Sequence, residues 1–177
     1  LHSGGIELRL EPGCPQLPDG LGGPGAVLSW YTDIPLVVVW RKTSSQHTSN
    51  YIDDGDWKLA IRAAGEHCLL GLREGQWDEK RWSELLFKSA EFAERSGLLG
   101  DSNRLDLLHL IGSALGGAGF ADGSLATRLC MLGESAVILP NELPMSNEWQ
   151  EIVVNNLQMR GLGAISVSVA ADALNLH

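Results

Sequence analysis

The sequence predicts an α/β or α+β fold: a mixed sheet of about four to five strands, with helices on its faces and a βαβ unit at the C-terminal end. Three observations carry this. Leu36-Val37-Val38-Val39-Trp40 has no polar face, the pattern of a strand covered on both sides. The middle of the chain repeats apolar stripes at helical spacing, opened by Asp and closed by Gly. The last third reads strand, helix, strand. Two strands joined in that way run parallel through a right-handed crossover.

Taken in order, residues 6–10 alternate Ile6, Leu8 and Leu10 with Glu7 and Arg9, which reads as a half-exposed edge strand. Residues 11–25 hold four Pro and five Gly and read as a loop. Two strands at 26–32 and 36–42 are close enough, across Asp33-Ile34-Pro35, to form a hairpin. Residues 43–50 are a polar loop. Asp56 is placed to cap a helix with the stripe Trp57, Ile61, Ala64, Cys68 and Leu72, in which Gly65 is a weak point. A second helix starts at Asp78, where Trp77 and Trp82 have the spacing of a hydrophobic staple. Its buried stripe is Trp82, Leu85, Leu86, Ser89 and Ala93, its wet face carries Glu84–Lys88 and Glu91–Arg95 pairs, and Gly97 ends it.

A third helix, from Asp101 or Ser102 to Leu115, is apolar around most of its circumference and so lies deep. Residues 116–123 form a glycine-rich break, and 125–132 read as a short helix closed by Gly133. A buried strand at 136–139 stops at Pro140. The next helix runs from Ser146 or Asn147 to Arg160, with Glu148 and Glu151 in its first turn, as the macrodipole prefers. In the final strand, 164–170, Ala164, Ser166 and Ser168 are small enough to sit beneath that helix.

At 177 residues the chain fits a single domain, β-rich over 1–50, helical over 51–134 and βαβ over 135–177. Thirteen Lys and Arg stand against 22 Asp and Glu, a net charge of −9. The bases are interleaved with acids and form no stripe, so general nucleic-acid binding, which needs a basic patch for counterion release, is not expected. Cys14, Cys68 and Cys130 show neither a disulfide framework nor metal-ligand spacing, and read as reduced thiols of a cytoplasmic protein. No apolar run approaches the ~20 residues that span a bilayer, and no cofactor is implied.

Each candidate for chemistry has a plainer reading beside it. Asp53, Asp54 and Asp56 surround Gly55 and could hold Mg²⁺ or Ca²⁺, but they equally suit a turn that caps a helix. Glu66, His67 and Cys68 are adjacent, yet neighbours on a helix point about 100° apart. Ser102, Asp106, His109 and Ser113 share one helix face, superficially like a catalytic triad, and are also what the wet side of a deep helix looks like. The glycines at 112–119 and 20–25 follow a helix and precede a strand, the wrong contexts for a phosphate loop. Beyond the strand ends lie Arg41, Lys42, Ser44, Ser45 and His47, and also Asn141 and Glu142. If those ends share one edge of the sheet, they form an anion site with a nearby carboxylate.

The favoured function is a small acidic protein-binding or regulatory module, such as an inhibitor, immunity-type or adaptor protein, with a basic protein as its partner. The alternative is a metal-dependent hydrolase of phosphate esters, a nuclease or nucleotide hydrolase. There Arg41, Lys42, Asp54 and Glu142 act in catalysis, Ser44, Ser45, His47 and Asn141 bind substrate, and Asp53, Asp54 and Asp56 hold the metal.

Overall fold

A computed structural model describes residues 6–9, 27–30, 33–43, 54–75, 78–130 and 133–169, the first two segments as backbone. The strands are β1 (Ile6–Arg9), β2 (Val27–Trp30), β3 (Ile34–Arg41), β4 (Leu125–Leu129), β5 (Ser135–Pro140) and β6 (Leu162–Val169). The helices are α1 (Gly55–Leu70), α2 (Glu79–Arg95), α3 (Ser102–Gly117) and α4 (Glu148–Met159), with a short 3₁₀ turn at Leu98–Gly100 before α3. The architecture is α+β, with a four-stranded sheet in the order β4-β5-β3-β6 and β1 paired to β2 apart from it.

The apolar run 36–40 occupies the middle of the sheet. β3 pairs antiparallel with β5 on one side, Val37 opposite Ile138, and with β6 on the other, Val38 opposite Ile165. β5 and β6 therefore run in the same direction, as a βαβ unit requires, but with β3 inserted between them. Every ladder among the described residues is antiparallel, in place of the mixed pairing expected.

Two further expectations are corrected. The hairpin between 26–32 and 36–42 does not form, because both edges of β3 are taken by β5 and β6, and β2 pairs instead with β1, Trp30 opposite Ile6. Residues 125–129 are a strand, not the start of a helix. Pairing along β5 from Leu125–Pro140 to Leu129–Ala136 extends the sheet, and buries Leu125 and Ala126 on its opposite faces.

Both faces carry helices. On one, Val37, Val39, Ala136, Ile138, Leu162 and Ala164 pack against Leu107, Ile111 and Ala114 of α3 and Trp149, Val153 and Leu157 of α4. α4 is stitched to the sheet by amides: Gln150 Nε2 donates to the carbonyls of Leu36 (2.7 Å) and Val167 (2.8 Å), and Gln158 Nε2 to that of Ala164 (3.1 Å). On the other face, Ile34, Ala126 and Leu139 pack against Trp82 and Leu86 of α2. Trp40 lies over its cross-strand neighbour Gly163, where any Cβ would overlap the indole.

Aspartates start three of the helices. Asp54, Asp78 and Asp101 each accept two backbone N–H bonds of the first turn, at 2.8–3.3 Å. The cap of α1 is thus Asp54, two residues before the expected Asp56, which sits in the first turn where the helix dipole favours it. Trp77 lies outside the described residues, as does its expected contact with Trp82.

α1 packs on α2, with Ala64 and Cys68 of α1 and Leu72 just past its end buried, and a charge cluster joins the two helices. Glu91 accepts from Lys88 (2.8 Å) and Arg95 (2.8 Å) of its own helix and lies 3.0 Å from His67 Nε2 of α1. The expected Glu91–Arg95 pair is present, and Lys88 turns to Glu91 instead of pairing with Glu84, which takes Arg81 at 3.2 Å. Hydrogen bonds from Lys88, then Arg95, hold the Glu91 carboxyl down at about 2. A carboxylate lowered on folding adds stability above its unfolded pKa, and that stability is lost as pH falls through the folded value. The thermal midpoint should therefore drop between about pH 4.5 and pH 2, and drop less steeply in Glu91→Gln. Equal slopes for the two proteins would show that the cluster is solvated and adds nothing.

Candidate functional site

The strand-end hypothesis required Arg41 and Glu142 on one edge of the sheet, and the register places them on opposite edges. Trp40 pairs with Ser135 at the start of β5, whereas Glu142 follows Pro140 at its end. At about 3.4 Å per residue, the length of β5 keeps them roughly 20 Å apart. Arg41 is also engaged structurally: its Nε lies 3.2 Å from Oε2 of the buried Glu134, and its Nη2 donates to the Asn103 carbonyl at 3.4 Å. It thereby ties the end of β3 to the start of α3 and the approach to β5. Lys42 is exposed. Ser44, Ser45 and His47 lie outside the described residues.

The acid turn resolves as a helix start. Asp54 accepts the N–H groups of Asp56 and Trp57 through Oδ1, and Asp56 is exposed. Asp53 lies outside the described residues. Among the described residues, no three His, Cys, Asp or Glu side chains gather where a metal ion could be held. Ser102, Asp106, His109 and Ser113 all face solvent along α3, and Ser113 accepts a 3.1 Å bond from Arg160 at the end of α4. Burial pushes the thiols of Cys68 and Cys130 above their usual value, the direction that disfavours the nucleophilic thiolate. Cys14 lies outside the described residues.

Asn141 and Glu142 border a pocket that Arg41 and Lys42 do not line. At the end of β5 they border a cleft of about 580 Å³ with Ser83 of α2, the turn Asp122-Gly123-Ser124 before β4, and Pro144 and Met145. Asn141 is pinned to that turn, its backbone N–H donating to the Ser124 carbonyl (2.9 Å) and its Nδ2 to the Gly123 carbonyl (2.7 Å). Asp122 accepts the Ser124 N–H at 2.9 Å, and that bond holds its carboxyl below the usual range. Among the described residues, the charged side chains of the lining are Asp122 and Glu142. Asp122 and Ser83 were not singled out from the sequence. The usable signal was Asp-Gly-Ser at 122–124, in which an Asp side chain closes a turn on the backbone two residues ahead.

A second surface is apolar. α2 covers the sheet over β4, β5 and the start of β3, and leaves the β6 side open among the described residues. There Ile165 is 49% and Val167 37% exposed, on the face they share with Trp40 and Val38. β6 is also an edge strand of this sheet.

These features define an α+β protein with a central antiparallel sheet, one acid-lined cleft and one partly uncovered sheet face. No protein-family model matches the sequence, and no curated protein matches it. No helix among the described residues is long and apolar enough to cross a membrane.

Proposed function

We propose that this chain is a small acidic protein-binding module of regulatory or adaptor type, working in a reducing, cytoplasmic setting, with a basic protein as its partner. The observation that supports it is the uncovered half of the sheet, where Ile165 and Val167 stand out from an eight-residue edge strand. Apolar side chains on an open strand edge are a recurrent docking surface, since a partner strand adds backbone hydrogen bonds while side chains supply specificity. The net charge of −9 complements a basic partner and speeds its approach. The hydrolase reading loses its central pairing, because Arg41 and Glu142 sit at opposite ends of β5 and Arg41 is held by Glu134.

The test is affinity capture from the source cell with wild type and with the double variant Ile165→Glu, Val167→Glu. Proteins held by wild type should be lost by the variant and should elute as salt rises, because charge attraction is screened over roughly 8–10 Å. Capture unaffected by the double variant would refute this surface. Mg²⁺- or Mn²⁺-dependent hydrolysis of phosphate esters, abolished by Asp54→Asn or Arg41→Ala at intact fold, would refute the function.

A further inference from the structure

We infer that the partner enters as an extended segment in which apolar residues alternate with Lys or Arg, added along the free edge of β6. This deepens the protein-binding reading and rests on it for the surface. β6 is an eight-residue edge strand that carries no charge and no Pro, the devices that commonly blunt an edge against pairing. A strand added there continues the pleat, so each of its residues shares a face with the β6 residue opposite. The two faces of β6 differ. On the side away from α4, Ile165 and Val167 are exposed apolar side chains. On the α4 side, Ser166 and Ser168 border a hollow of about 520 Å³ with Asp33, Asn147 and Gln150.

Charge on the α4 side selects the alternate residues. Among the described residues, Asp33 is the charged side chain of the hollow. Glu151 is exposed, makes no ion pair among the described residues, and shares a stripe of α4 with Asn147 one turn before it and Gln158 two turns after it. Asn147 lines the hollow and Gln158 Nε2 bonds the Ala164 carbonyl, so that stripe, Glu151 included, lies on the β6 side of α4. Arg41 and Lys42 stand at the far end of β6, where Arg41 is opposite Leu162. The hydroxyls of Ser166 and Ser168 and the Asn147 amide donate or accept as a ligand requires. The buried Gln150 spends its Nε2 on two carbonyls, which leaves its Oε1 as an acceptor with no bond among the described residues. Acid charge and that acceptor favour Lys or Arg opposite Ser166 and Ser168, with stems long enough to carry the charge from the edge to the acids. Apolar residues then fall opposite Ile165 and Val167 and cover the open half of that face.

The experiment titrates ¹⁵N-labelled protein at low salt with the blocked peptide Val-Lys-Val-Lys-Val-Lys-Val and follows the backbone amide shifts. The block isomer Val-Val-Val-Val-Lys-Lys-Lys, of the same composition, and the acidic Val-Glu-Val-Glu-Val-Glu-Val form the other arms. Saturable shifts are expected at residues 165–168, with a dissociation constant on the order of 0.1 mM. The block isomer should bind about fivefold more weakly, because it cannot match both faces at once, and the acidic peptide should give no shift. Glu151→Gln, an exposed change, should weaken the alternating peptide by about two- to fivefold. Ile165→Thr with Val167→Thr, which keeps the β-branched character of the strand, should weaken it by about tenfold. Equal binding of the block isomer, binding of the acidic peptide, no saturable shift, or an affinity unchanged by Glu151→Gln would overturn the inference. So would concentration-dependent shifts at residues 165–168 without peptide, since a second copy of the chain would then hold the edge. Capture that depends on Ile165 and Val167 while the peptide fails removes this pattern alone and leaves the protein-binding reading standing. Capture indifferent to them removes both.

Discussion

Replacing Trp82 with Ala should cost about 3–5 kcal/mol of folding stability, the range for deleting a fully buried large aromatic. The ring is 4% exposed and packs where α2 meets the sheet, against Ile34, Leu86 and Leu139. Its Nε1 donates to the Pro140 carbonyl at 2.7 Å, a contact between residues 58 apart in sequence. Trp82→Phe separates the two contributions. It keeps most of the apolar ring but deprives a buried carbonyl of its donor, for about 1–3 kcal/mol beyond the lost volume. Trp149→Phe is the control, because that indole N–H is buried with no acceptor among the described residues. Denaturant titration should rank Trp82→Ala above Trp82→Phe, and Trp82→Phe above Trp149→Phe. A loss under about 0.5 kcal/mol for Trp82→Ala would mean that the ring is not packed as described.

Arg41→Ala is the second large effect, expected at about 2–3 kcal/mol. Breaking a fully buried ion pair costs about 3–5 kcal/mol because the remaining charge stays desolvated. The lower figure reflects a guanidinium 27% exposed, beside a Glu134 side chain only 6% exposed. The distinguishing result is in the double-mutant cycle. Glu134→Ala added to Arg41→Ala should restore part of the loss, since the stranded carboxylate goes with it. Additivity within about 0.3–0.5 kcal/mol would show that the two side chains do not interact. The same experiment guards the functional reading, because an Arg41 variant that loses activity through unfolding says nothing about catalysis.

Much of the local structure was legible along the chain. The stripe Trp57, Ile61, Ala64, Cys68, Leu72 correctly orients α1, and Gly97 and Gly161, both with positive φ, stop helices where the periodicity ends. The candidate site was legible only in halves. Asn141 and Glu142 were recognised as strand-end residues, but Arg41 was assigned to their edge because the direction of β3 relative to β5 is not written in either segment. The residues that do meet them, Ser83 and Asp122, lie on α2 and on the turn before β4, 58 and 19 positions from Asn141, and no local pattern joins them.

The sequence by itself determined the elements whose signals are short-range: three Asp-started helices, a strand-helix-strand ending, and a fully apolar strand that had to be central. Residues 125–129 show the limit. Leu125-Ala126-Thr127-Arg128-Leu129 suits a helix turn as well as a strand, and became β4 because the free edge of β5 offered it a ladder. The loss of the 26–42 hairpin has the same cause, since β5 and β6, about a hundred residues further on, took both edges of β3. Which strand occupies an edge is a competition for backbone hydrogen bonds and buried area across the whole chain. Only the assembled sheet decided it, and with it which charges meet in the cleft and which apolar side chains remain uncovered.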